Sequence, residues 1–150
     1  MVNYFDLAIK ENRVVIKLER SLAMYKVEVT HNQNLAFTAK VGVGEFIIDA
    51  QGQGVTPLDA LLAGLGSCIG VYICKYAQGA KLDLKNFKVN VSAGLCSQAP
   101  FYFKLINVQI DLKDCALDDR RQRALLEFIK NCPAHNTLKG NPVIEFKLLC

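Results

Sequence analysis

The sequence predicts an α+β protein with an antiparallel sheet, a long apolar central helix and a second helix. Three observations indicate this class. Short segments with β character fill the first third of the chain. The hydrophobic period changes to that of a helix after Thr56, and strands and helices are grouped rather than strictly alternating. A chain of 150 residues is expected to form one domain, residues 1–150, with enough length to bury a core.

The first third of the chain is predicted to form a meander of short strands. Glycines surround Val43, and polar residues from Lys10 to Asn12 give a second turn, so the apolar runs are separated by turn-forming residues. The clearest alternation of apolar and polar side chains begins at Tyr25. The expected strands are residues 4–9, 13–19, 25–29, 35–41 and 45–49.

The long helix has a strong start signal. Thr56 suits the N-cap, Pro57 suits the first helical position, and Asp59 lies where a capping box places an acidic side chain. We expect the helix to continue to about Gln78, with Gly79 as its stop.

The helix is apolar on every side, which predicts that it is buried on every side. One sheet covers only one face. Gly66 and Gly70 lie on one side and, with Ala63 and Ser67, would let a second helix approach closely, although each glycine costs about 1 kcal/mol relative to alanine. A chain of this size has few elements left to cover the helix, so we predict a homodimer with the helix near the interface.

Composition argues against several other classes of protein. The net charge of +4 is scattered without a Lys/Arg run, so no nucleic acid partner is expected. The uncharged run 60–74 is shorter than the ~20 residues of a membrane span, and the first residues lack the pattern of a signal peptide. We therefore expect a cytoplasmic protein that does not bind a membrane. The six cysteines include no CxxC pair, so a structural zinc site is not predicted.

The second half is predicted to contain two strands, a helix and a last strand. The strands are residues 86–95 and 101–112, joined by a loop at 96–100. Leu117 and the two aspartates after it open the second helix, which should end near Asn131 because the residue before Pro133 resists the helical conformation. Residues 142–148 are the last predicted strand.

Cys68, in the middle of the long helix, has two interpretations. It can be a small core side chain, because free cysteine is among the most buried residue types, and Cys74 fits the same description. It can also be a reactive thiol, but Cys68 lies too far from the helix start for the dipole to ionise it. A cation from elsewhere in the fold would then be needed. The local sequence favours the core interpretation.

A second segment changes this balance. Residues 57–68, PLDALLAGLGSC, together with residues 131–138, NCPAHNTL, resemble the paired motifs of the OsmC/Ohr family of thiol-dependent peroxidases. The resemblance covers about residues 24–148, with the intervening strands and helix in the family's order. The first 23 residues are an extension or arm outside it.

The resemblance implies an intertwined α+β homodimer with its sites at the subunit interface. It implies that Cys68 is the cysteine that attacks the peroxide and becomes a sulfenic acid, and that Cys132 resolves it as a disulfide. It further implies organic hydroperoxides as substrates and a dithiol reductant, possibly of the lipoyl type. No metal or flavin is implied.

The chain departs from the family pattern at its supporting residues. Leu58 stands where well-characterised branches carry glutamate. Asp59 follows it, as in a more divergent branch, but lies nine residues before Cys68, on the opposite side of a straight helix, where capping is the expected role. Arg13 and Arg20 are the only arginines before the helix and are expected at the surface. His135 is expected to be structural.

These departures keep a second function open. The same fold could serve as a non-enzymatic dimeric binding module for a small hydrophobic ligand, or as a redox sensor. The other four cysteines have no counterpart that the resemblance identifies (Cys74, Cys96, Cys115 and Cys150).

Overall fold

The computed structural model describes residues 25–52, 54–113 and 115–149. Its elements follow the order β1 (Val27–Gln33), β2 (Ala36–Val41), β3 (Gly44–Asp49), α1 (Pro57–Ala80), β4 (Lys88–Leu95), β5 (Phe103–Asp111), α2 (Asp119–Ile129) and α3 (Pro133–Gly140). Two of the predicted strands, at 4–9 and 13–19, lie outside the described residues. The same is true of Arg13, Arg20 and Cys150. The chain divides into two compact units, one up to Ile48 and one from Asp49 onwards. The single domain stays a prediction.

The first unit is the predicted meander. Strands β1, β2 and β3 are neighbours in one sheet, and β1 pairs with β2 in antiparallel register from Val27 opposite Val41 to Gln33 opposite Ala36. Asn34 turns the chain between them with a positive φ of 50°, which asparagine tolerates better than most residues. The meander prediction is confirmed for the strands within the described residues.

Helix α1 opens the second unit with the predicted cap. The Asp59 N–H donates to Thr56 Oγ1 at 3.2 Å, and the Thr56 N–H donates to Asp59 Oδ2 at 3.2 Å. The helix does not end at Gly79 as predicted. It continues to Ala80, and Lys81 adopts the left-handed conformation that closes it.

Strands β4 and β5 form an antiparallel pair against which α1 packs. Gly66 allows this contact, because a Cβ added there would lie 3.1 Å from Val91 Cγ2. Gly70 likewise faces Phe87, whereas Gly64 has no heavy atom within 4 Å of an added Cβ. We expected Gly66 and Gly70 to admit a second helix; within the chain they face strand β4 and the residue that precedes it.

The second helix is confirmed, but the region after it differs from the prediction. Asp118 caps α2 by accepting a hydrogen bond from the Arg121 N–H at 2.8 Å. A third helix, α3, follows between the predicted end of the second helix near Asn131 and the strand predicted from residue 142, where no element was predicted. The strand predicted at 142–148 is wrong for the single chain, because residues 141–149 carry no regular secondary structure and are all exposed.

The core of the second unit lies between α1, the β4–β5 pair and the two shorter helices. Its buried side chains are Leu65, Ile69, Ile73, Leu117, Leu125 and Cys132.

Helix α1 is buried on one face only, so the prediction of burial on every side is not met within the single chain. The exposed fraction is 43% for Leu58 and 44% for Leu61, near the N-terminal end of the helix, and 52% for Val71 on its other face. By length and composition alone the helix could cross a membrane, since an 18-residue window of it has a mean hydropathy of 1.6; 17% of that window is buried. The core helix of a soluble protein can have the same length and hydropathy, so these two properties alone are weak evidence of a membrane span.

Candidate active site

Two thiols that are far apart in sequence meet in the core of the second unit. Cys68 comes from the middle of α1, and Cys132 comes from the junction between α2 and α3. The Cys68 thiol lies close enough to that of Cys132 to raise the pKa of Cys132. Both pack in the same hydrophobic cluster, Cys132 as a buried member and Cys68 at its edge.

The backbone fixes Cys132 from both sides. The Cys132 N–H donates to the Ile129 carbonyl at 3.0 Å, which continues the last turn of α2. The Cys132 carbonyl then accepts from the Asn136 N–H at 3.0 Å in the first turn of α3. Pro133 occupies the first position of α3, where the missing N–H costs nothing because that group has no partner within a helix. Cys132 is therefore the residue at which one helix ends and the next begins.

The surroundings of Cys132 keep it protonated. Burial raises the pKa of its thiol above the ordinary value of 9.0, and the contact with Cys68 raises it further. The backbone N–H groups of His135 and Ala134 act in the opposite direction without cancelling the rise. The Cys132 side chain does not cap α3 in the ordinary way, because it accepts no capping hydrogen bond from the first turn of that helix. At neutral pH Cys132 is a buried thiol rather than a thiolate.

Cys68 differs from Cys132 in access. Its side chain is half-buried, whereas Cys132 is 0% exposed. A small molecule from solvent can therefore reach the sulfur of Cys68 before that of Cys132. The pair combines an accessible thiol with a shielded partner, an arrangement suited to oxidation of the first and capture by the second.

The other predicted site residues lie elsewhere. Asp59 is engaged in the cap of α1, nine residues before Cys68. His135 lies in the first turn of α3, where Nδ1 is 3.2 Å from the Lys130 carbonyl oxygen and 3.2 Å from Asn136 Oδ1. His135 thus links the end of α2 to the start of α3 close to Cys132.

A groove beside the thiol pair was not predicted. It has a volume of about 470 Å³ and lies between α1, β5 and α2. We call it the α2 groove. The sequence alone could not show which charged side chains of α2 border apolar surface. Its lining residues are Ile69, Val108, Ile110, Arg123, Leu126, Glu127, Ile129, Lys130 and His135.

The remaining cysteines do not add to the pair. Cys74 is exposed and Cys96 and Cys115 are half-buried, each as a free thiol. Over the part of the chain that the structure describes, no three His, Cys, Asp or Glu side chains are grouped so that they could hold a metal ion.

Comparison with known sequences gives a family match over most of the chain. The family model described as OsmC-like protein matches residues 50–147. A hydroperoxide reductase of Mycoplasma genitalium is 26% identical over 123 residues, covering 77% of this chain and 87% of that protein. Both thiols of the candidate site lie inside the matched region.

Solved structures with the same fold include an OsmC-like protein and an organic hydroperoxide resistance protein. An OsmC-like protein from Mycoplasma pneumoniae superposes with a TM-score of 0.69 at 24% identity, covering 79% of this chain and 89% of that one. An organic hydroperoxide resistance protein from Elizabethkingia anophelis superposes with a TM-score of 0.57 at 19% identity, covering 79% and 91% of the respective chains. These similarities confirm the predicted α+β, OsmC-like fold.

Proposed function

The chain belongs to the OsmC-like protein family, and from this premise we propose that it is a cysteine-based peroxidase that reduces organic hydroperoxides. The observation that carries the proposal is the contact between a half-buried thiol, Cys68, and a fully buried one, Cys132. The names of related proteins, hydroperoxide reductase and organic hydroperoxide resistance protein, support the same type of substrate.

In the proposed first step the Cys68 thiolate attacks the terminal oxygen of the hydroperoxide. The O–O bond breaks, the organic oxygen leaves and takes up a proton as an alcohol, and Cys68 becomes a sulfenic acid. Access favours Cys68 for this role. Cys132 is shielded and its pKa is raised, so it is a poor first nucleophile.

In the second step the sulfur of Cys132 attacks the sulfenic sulfur of Cys68. Water leaves and a disulfide joins α1 to the α2–α3 junction. Cys68 already packs against the cluster that holds Cys132 in the reduced state, so the proposed disulfide requires only a local movement. The backbone N–H groups of Ala134 and His135, which lower the pKa of Cys132, favour its ionisation as it attacks.

An external dithiol, possibly of the lipoyl type, completes the cycle in this proposal. Its thiolate attacks the disulfide at Cys68, because Cys132 is inaccessible, and Cys132 departs as the leaving thiolate. The second thiol of the reductant then releases Cys68. The dithiol is oxidised by two electrons, which balances the reduction of one hydroperoxide to an alcohol and water.

We further propose that the chain acts as a homodimer in the cytoplasm. Apolar side chains on the outer face of α1 and in residues 142–149 need a cover that the described residues do not supply; Val71, Phe146 and Leu148 are 52%, 94% and 86% exposed. A second copy would cover them, and free cysteines are typical of a reducing compartment. Light scattering that gives the mass of one chain would contradict the dimer.

Mass spectrometry of the reduced full chain after one equivalent of cumene hydroperoxide tests the peroxidase proposal. We expect rapid loss of two thiols, loss of the mass of two hydrogen atoms, and a peptide cross-link between Cys68 and Cys132. In Cys68→Ser this reaction should fall to background. In Cys132→Ser the reaction should stop at a Cys68 sulfenic acid, which dimedone traps.

Cys74→Ser is the matched control, since it removes another thiol of the same helix and should leave rate and cross-link unchanged. If Cys68 stays reduced while other cysteines oxidise slowly, the proposed peroxidase is wrong and the non-enzymatic alternative is favoured.

A further inference from the structure

The α2 groove presents apolar surface that the described residues leave open. Ile69 of α1, Val108 and Ile110 of β5, and Leu126 and Ile129 of α2 line it. Val108 is 38% exposed and Leu126 is 51% exposed. A volume of about 470 Å³ lies within the range of small-molecule sites, and walls from three different elements make it a groove rather than a flat patch.

The charged side chains at the groove differ in whether an opposite charge neutralises them, and this difference indicates the kind of ligand that the groove binds. Glu127 and Lys130 form a salt bridge with each other, so they largely neutralise one another. Arg123 also lines the groove but makes no salt bridge with any carboxylate in the described part of the chain. The result is one uncompensated guanidinium beside an apolar surface.

We propose that the α2 groove binds an amphipathic carboxylate, with its apolar chain against Val108, Ile110 and Leu126 and its carboxylate at Arg123. A guanidinium can donate two parallel hydrogen bonds to a carboxylate, a geometry that a neutral head group does not match. The apolar chain removes the exposed surface of the groove from water. The groove lies beside the candidate active site, but its lining includes neither Cys68 nor Cys132. Binding to the reduced chain therefore tests this proposal without a measurement of peroxidase activity.

Isothermal titration calorimetry of the reduced full chain with octanoate, decanoate and 1-octanol tests this site. Decanoate should bind about tenfold more tightly than octanoate, because it buries two more methylene groups. Octanoate should bind more tightly than 1-octanol, because only octanoate carries a charge for Arg123. Arg123→Gln should weaken octanoate binding about fivefold and leave 1-octanol binding unchanged.

Arg120→Gln is the matched control, since it removes the same charge from the same exposed helix outside the groove lining. Leu126→Asn should weaken all three ligands, and its side chain is exposed enough for the fold to survive the change. Absence of saturable binding, or equal effects of Arg120→Gln and Arg123→Gln, would overturn the proposal. So would Leu126→Asn converting a dimer to a monomer without any carboxylate binding, which would assign the groove to a second copy.

Discussion

Both faces of α1 carry apolar side chains, but the environments of the two faces are opposite. The inner face buries Leu65, Ile69, Ile73 and Ala77 against β4, α2 and α3. The outer face carries smaller and some polar side chains, and its apolar Val71 remains 52% exposed.

The comparison shows that hydrophobicity alone does not decide what a helix packs against. The inner face is matched in shape by its own chain, with Gly66 positioned for the close approach of Val91. The outer face has no such match within the described residues, and our homodimer proposal assigns it to a second copy. The candidate active site lies at the inner side, where Cys68 meets Cys132.

Replacing one residue on each face should produce the largest difference, both in the free energy of unfolding and in the mass in solution. Ile73 is 0% exposed, so Ile73→Ala should lower the free energy of unfolding by about 3 kcal/mol, measured by urea denaturation. Val71→Asp should change the unfolding of the isolated chain by under about 1 kcal/mol. It should, however, shift the mass measured by light scattering from two chains towards one. Similar unfolding costs for both variants, with the mass unchanged, would show that the faces do not differ in this way.

Two glycines of the same helix offer a finer test. Gly64→Ala meets no atom within 4 Å and should raise the stability of the isolated chain by about 1 kcal/mol through helix propensity. Gly66→Ala gains the same propensity but places its Cβ 3.1 Å from Val91 Cγ2, so the strand must shift and the gain should be lost. Thermal unfolding of the two variants gives the comparison. An equal gain for both would mean that the close approach to β4 is not restrictive.

The smallest expected effect concerns the thiol packed against the inner face. Because the folded-state pKa of Cys132 is raised above 9.0, the unfolded thiol ionises first as the pH increases. The stabilisation is therefore complete below about pH 9 and is lost as the pH rises through the folded-state pKa. Under reducing conditions, the stability difference between the wild type and Cys132→Ala should shrink over that range. A difference independent of pH would show that burial does not perturb this thiol.

Local signals in the sequence predicted the elements whose causes are local. The cap of α1 depends on Thr56, Pro57 and Asp59, which are adjacent in sequence, so pattern and structure agree. Helix α3 was not predicted because Pro133 is compatible with two local structures. A proline resists continuation of the preceding helix and equally suits the first position of a new one. Only the packing of α3 against α1 shows that Pro133 both ends α2 and begins a new helix.

Features that depend on distant residues could not be predicted from local pattern. The pairing of Cys68 with Cys132 followed from the family resemblance, since nothing near Cys68 indicates its partner. The alternation in residues 142–148 indicates a strand, but a strand needs a neighbour, and the part of the chain that the structure describes pairs no strand with it. Arg123 likewise belongs to an ordinary amphipathic pattern, and only the fold shows that it borders an apolar groove.

Residues 141–149 have a consequence for how the protein must be made. An uncovered segment with strong β propensity is a site of unwanted aggregation between newly made chains. Glu145 and Lys147 interrupt its apolar run and reduce this hazard without removing it, since Ile144 and Phe146 remain 72% and 94% exposed. Correct association of two chains therefore competes with aggregation. The yield of folded protein should depend on the protein concentration during folding.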